Sequence, residues 1–174
     1  MNSNKIIRNL LRFIGLMAIQ IVVLQRLDLS IGNFNYIHVL IYPFIILMLP
    51  IDTPKPIVLI LSFGIGIFID FFYNSPGVHA AALVMTGYVR LLILRMLEPY
   101  EGYGSGISPT LAKMGLTWFV SYIGIMGFIH CFAYFSFEAF SFVYFFDIFM
   151  NTIFTVIPSL LVFFLVHSIF GSKV

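Results

Sequence analysis

Charge is scarce in this sequence. Nine Lys and Arg and seven Asp and Glu make up 9% of its 174 residues, against about 25% in an ordinary soluble domain. With 61% of residues hydrophobic, a water-soluble globule of this length could not hide its apolar surface. Water is therefore not the solvent of this chain. A nucleic-acid surface is excluded as well, because the net charge is only +2 and the basic residues are scattered. No long polar tract divides the sequence, so residues 1–174 read as a single membrane domain.

Other absences narrow the chemistry. The one cysteine, Cys131, lies inside an apolar stretch. It cannot form an internal disulfide, does not report a redox compartment, and reads as a small core residue. No H-E-x-x-H, G-x-S-x-G or phosphate-loop pattern occurs, and no acid-rich motif points to a phosphotransferase. The four histidines, His38, His79, His130 and His167, fall in four different apolar segments without the spacing usual for zinc. The expectation is a protein that is not an enzyme and carries neither metal nor cofactor.

What the sequence has is long apolar runs. Six are of a length to cross a bilayer, which takes roughly 17–25 mostly apolar residues: Ile7–Leu24, Tyr36–Ile51, Ile57–Tyr73, Val78–Met96, Met114–Phe135 and Val143–Phe170. The last contains Pro158, which predicts a kink. The first follows Lys5 and Arg8 like a signal peptide but runs long and lacks a small-x-small cleavage site before Gln25, so it is expected to stay as an anchor. The breaks "QRLDLSIGN", "DTPKP", "YNSPG", "LEPYEGYGSGISPTLAK" and "SFEAFS" are rich in chain-punctuating residues. These features predict an all-α integral membrane protein, a bundle of six transmembrane helices.

Placing the N-terminus in the cytoplasm puts Lys5, Arg8, Arg12, Lys55, Arg90, Arg95, Lys113 and Lys173 on or near the cytoplasmic side and leaves only Arg26 outside. Eight of nine basic residues on one side match the positive-inside rule. Both termini are thus expected in the cytoplasm, in agreement with an even number of spans.

Two sets of polar residues stand inside these runs. On the third span Ser62, Gly66 and Asp70 are spaced by four, so two small residues and a carboxylate share one slowly winding face. Ser75 or Asn74 offers a cap and Pro76 a first-turn residue for the fourth span, which places Asp70 near exposed amides, with His79 one turn further on and its side chain placed to hydrogen-bond the carboxylate. A carboxylate pinning a close-packed hairpin is one reading, and a proton-carrying acid is the other. On the sixth span Asp147, Asn151, Thr155 and Ser159 form a stripe that should face protein, either lining a ligand cavity or making interhelical hydrogen bonds. The aromatic-rich "YFSFEAFSFVYFF" reads as an interfacial belt or a docking edge.

The layout of six short spans and the hairpin "GIGIFIDFFYNSPGVHAAALVMTGYV" resemble the rod shape-determining protein MreD family of bacterial inner membranes. The specific part of the resemblance is the set Gly66, Asp70, Ser75, Pro76, Gly77, His79 and Ala80. It implies a non-enzymatic, multi-pass subunit of the inner (plasma) membrane that maintains rod cell shape within the cell-wall elongation machinery. The implied partners are the bitopic MreC and, through it, MreB and the glycosyltransferase and transpeptidase pair that build peptidoglycan, with membrane lipid around it and no nucleic acid. The resemblance also implies a fold similar to the substrate-binding subunits of energy-coupling-factor transporters. A vitamin-binding transporter subunit is accordingly the alternative. Those subunits present an Ala-x-x-x-Ala type face on the first span, whereas Gly15 and Ala18 here are three apart.

Overall fold

The computed structural model describes residues 15–23, 29–31, 34–104 and 106–171. Residues 15–18 are helical and run into the π-helical turn Ile19–Val23, together α1. A two-stranded antiparallel ribbon follows, β1 (Leu29–Ile31) with β2 (Phe34–Ile37), pairing Leu29 with Ile37 and Ile31 with Phe34. The remaining helices are α2 (Pro43–Leu47), α3 (Lys55–Tyr73), α4 (Val78–Met96), α5 (Leu111–Met114), α6 (Leu116–Ala139) and α7 (Phe145–Gly171). Apart from the ribbon, the regular elements among the described residues are helical.

Four helices, α3, α4, α6 and α7, are long and apolar enough to cross a membrane. Nineteen residues at 1.5 Å rise span about 28 Å, close to the hydrocarbon thickness. Large apolar side chains, among them Ile60 and Phe71 on α3, Leu92 and Met96 on α4, and Leu161 and Leu165 on α7, point outward, as a lipid-facing surface requires. The chain is a multi-pass membrane protein. Helix α4 has the bounds expected from sequence, while α6 starts at Leu116 because Gly115, at φ 78°, separates it from the short α5. Helix α7 continues through Pro158. Half of the first expected span, Ile7–Leu24, lies outside the described residues, as do Lys5, Arg8, Arg12, Arg26 and Lys173.

The second expected span, Tyr36–Ile51, is not a membrane-length helix. Pro43 and Pro50 bound its only helical part, the five residues of α2, because a proline cannot donate to the preceding turn and biases the residue before it away from helix. Before Pro43 the chain continues from β2 without regular structure. The stretch is nonetheless the most enclosed part of the molecule, with Ile41, Tyr42, Ile46 and Leu47 fully buried.

Non-helical backbone inside a membrane protein needs partners from elsewhere. Polar side chains on the surrounding helices supply them. Gln20 of α1 donates to the Val39 carbonyl at 3.1 Å and accepts from the Ile41 amide at 2.8 Å. Thr155 and Ser159 of α7 accept from the amides of His38 and Leu40, at 3.3 and 2.9 Å. Further along, the Tyr122 hydroxyl donates to the Leu47 carbonyl at 3.1 Å, and the Arg90 guanidinium donates to Leu49 and Pro50 carbonyls at 2.6 and 3.2 Å. Arg90 is thus satisfied inside the bundle rather than at its surface.

One end of the bundle gathers the turn before α3 and the segment between α4 and α6. Ile51 donates its amide to Ile107, the Gly106 amide donates to Asp52, and Trp118 donates its indole N–H to Leu97. Lys55, Arg95 and Lys113 lie at this end. The opposite end holds the α3–α4 turn, near which the His79 and Tyr134 rings meet at 4.8 Å, tilted by 37°.

Candidate functional site: a carboxylate-pinned turn and a buried histidine pair

The α3–α4 turn is organised around Asp70. Helix α3 ends at Asn74, which adopts the left-handed conformation (φ 55°), and the Asn74 and Ser75 amides both return to the Asp70 carbonyl. Gly77, also left-handed at φ 86°, leads into α4. It has no side chain to cap the new helix, so the cap comes from the preceding one. The Asp70 carboxylate accepts the His79 amide on Oδ1 and the Ala80 amide on Oδ2, both at 2.9 Å, and the Ser75 hydroxyl on Oδ1 at 2.6 Å. Two of the four orphan amides that begin any helix are satisfied this way, and the negative charge meets the positive end of the α4 dipole.

Close packing brings the carboxylate within reach. A Cβ on Gly66 would overlap the Ala80 backbone, and a Cβ on Gly87 would meet Ser62 Oγ. Glycine at these two crossings lets the helices touch along the Ser62, Gly66, Asp70 face, all of it buried. Asp70 itself is 5% exposed. Of the seven motif residues, Gly66, Asp70, Ser75, Gly77, His79 and Ala80 therefore act in one turn, and Pro76 lies within it, two residues before the helix rather than in its first turn.

Two expectations about this turn are corrected. The cap is neither Asn74 nor Ser75 but Asp70, with Ser75 donating to it. The His79 ring does not bond the carboxylate. Its backbone amide does, while the ring turns inward, where Nδ1 lies 2.9 Å from the Tyr42 hydroxyl.

That hydroxyl joins a second histidine. Tyr42 Oη lies 2.8 Å from His130 Nε2, and His130 Nδ1 lies 2.9 Å from Thr86 Oγ1, which donates to the Ala82 carbonyl at 2.7 Å. His79, Tyr42, His130 and Thr86 are all buried. They link α4, the irregular second segment and α6. Sequence reasoning missed Tyr42, His130, Thr86, Gln20, Arg90 and Tyr122 as a set. The signal for Tyr42 was Pro43 and Pro50 inside a supposed helix, but the histidine pairing has no signature along the chain. Among the described residues no three His, Cys, Asp or Glu side chains cluster as metal ligands.

The α7 stripe divides. Thr155 and Ser159 are buried and accept from backbone amides of the irregular second segment, so their bonds run from helix to non-helical chain rather than between helices. Asp147 is exposed, and Asn151 with Asp147, Glu138, Phe135, Tyr144 and Ile148 borders an open cavity of about 290 Å³ between the end of α6 and the start of α7. Beside it Phe140 and Val143 are about nine-tenths exposed. No protein-family model, curated protein or solved structure matches the chain.

Proposed function

We propose that this protein is a non-enzymatic, MreD-like subunit of the bacterial cell-wall elongation machinery, maintaining rod shape from the inner membrane by binding MreC. The observation that supports this reading is the turn itself. Most of the residues that carry the resemblance lie at the α3–α4 contact and turn. They are consumed in building one rigid hairpin, with both Asp70 oxygens committed to backbone amides. A group spent on holding a fold is suited to presenting a surface to another protein rather than to chemistry. The proposal extends to six passes with both termini cytoplasmic, the second pass being the irregular segment from β2 to Pro50, shielded by the helices that hydrogen-bond it. MreB and the wall-synthesis glycosyltransferase and transpeptidase are then reached through MreC, and contact is made through membrane helices and the aromatic outer edge.

Co-purification from a rod-shaped bacterium tests the proposal. Affinity-tagged protein in mild detergent is expected to retain MreC. A vitamin in the purified protein with no MreC would instead support the transporter-subunit alternative. For the topology, cysteines placed beside Lys5 and Lys173 are expected to react only with reagents that enter the cytoplasm, and labelling of either from outside would overturn it.

A further inference from the structure

The direction of every hydrogen bond through the histidine pair follows from counting hydrogens. Thr86 has one hydroxyl hydrogen, given to the Ala82 carbonyl. Its oxygen can then only accept from His130, so His130 carries hydrogen on Nδ1. Among the described residues no carboxylate contacts His130, and an unpaired imidazolium is costly to bury, so this histidine is neutral and its Nε2 is an acceptor. The Tyr42 hydroxyl must donate to that nitrogen and accept from His79 Nδ1. His79 thus carries its hydrogen on Nδ1. The Asp70 oxygens hold the backbone amides and not the ring, so no ion pair keeps the imidazole charged.

A neutral imidazole protonated on Nδ1 has an acceptor at Nε2. In His79 that atom is buried and has no partner among the described residues. A buried acceptor left so is costly to the fold. Around the ring stand three tyrosines, Tyr42, Tyr73 and Tyr134, with centroids 5.4, 4.8 and 4.8 Å away. We propose that Nε2 of His79 is a binding site for one hydrogen-bond donor, a single buried water molecule held among these rings. Buried waters occur about once per 27 residues and are held by polar groups that lack a protein partner. A donor at Nε2 polarises the imidazole and strengthens the Nδ1–H bond to Tyr42, and through it the bond to His130. The water would therefore tighten a one-way chain joining α4, the irregular second segment and α6.

Histidine-selective ¹⁵N labelling of the full chain in lipid nanodiscs tests this. Two-bond ¹H–¹⁵N spectra are expected to show His79 and His130 as neutral Nδ1–H tautomers, with magnetisation passing from bulk water to the His79 ring. His79→Asn keeps a donor in the place of Nδ1 and removes Nε2. Because it also removes the labelled ring, the water-transfer signal assigned to His79 should vanish from the histidine spectrum while His130 stays an Nδ1–H tautomer. An Nε2–H or doubly protonated His79, an acceptor Nε2 without water transfer, or a water signal that survives in His79→Asn would each overturn the proposal.

Discussion

Asp70, before the α3–α4 turn, and Asp147, after the α6–α7 turn, have opposite surroundings. Asp70 is buried with three donors on its two oxygens. Asp147 is exposed and has no hydrogen-bond partner among the described residues. The difference is geometric. Asp70 belongs to the helix that ends, so a four-residue turn carries the unsatisfied amides of α4 back onto it. Asp147 lies in the first turn of its own helix and faces outward. An acid near a membrane-buried turn becomes structural when the next helix delivers its free amides to it.

The comparison breaks most visibly under substitution by leucine. Asp70→Leu leaves two buried amides and a hydroxyl without an acceptor and is expected to destabilise the protein by about 2–6 kcal/mol, whereas Asp147→Leu should stay within about 0.5 kcal/mol. Unfolding titrations in mixed micelles measure both, and equal losses would remove the distinction.

Close packing gives the next effect. Gly66→Ala places a methyl against the Ala80 backbone and is expected to cost about 1–3 kcal/mol through overpacking. Gly124→Ala on α6 meets nothing within 4 Å and should gain up to about 1 kcal/mol from helix propensity. The same titrations report both, and a harmless Gly66→Ala would mean that the helices do not touch there.

A comparable or smaller loss is expected for Tyr42→Phe. It strips one nitrogen of each histidine of its partner, at about 1–3 kcal/mol, and thermal unfolding should show it. Tyr144→Phe, at the exposed rim of the other turn, should change the midpoint by no more than scatter.

The smallest effect sharpens the contrast by its sign. Asn151 keeps an amide oxygen buried without a partner among the described residues, so Asn151→Leu is expected to be neutral or stabilising within about 0.5 kcal/mol. A clear loss by the same unfolding measurement would mean that this oxygen is used in the native protein.

Much of the architecture was legible in the sequence because hydropathy reports length and composition directly. The four long helices and the Asn74–Gly77 turn followed from apolar runs and punctuation, and the spacing of Ser62, Gly66 and Asp70 identified the packed face. The second segment was misread because Tyr36–Ile51 is as apolar as a helix while Pro43 and Pro50 forbid one. Its partners, Gln20, Arg90, Tyr122, Thr155 and Ser159, come from four other elements, and no local pattern links them. The stripe on α7 was half legible for the same reason. Periodicity places four residues on one face but does not say where the neighbouring segment ends. His79 shows the limit most plainly, since sequence placed it one turn from Asp70 but could not tell that its amide, not its ring, meets the carboxylate.

The central claim is that Asp70 holds a surface in shape and performs no chemistry. Its most direct test compares Asp70→Asn with Asp70→Leu in the same cells, reading protein level, MreC capture and rod shape together. Asparagine keeps an acceptor for the α4 amides and leucine does not, so the account predicts graded loss of capture and shape, mild for asparagine and severe for leucine. If Asp70 carried protons, neither variant could titrate. Full protein level and full MreC capture with complete loss of rod shape in both variants would contradict the account.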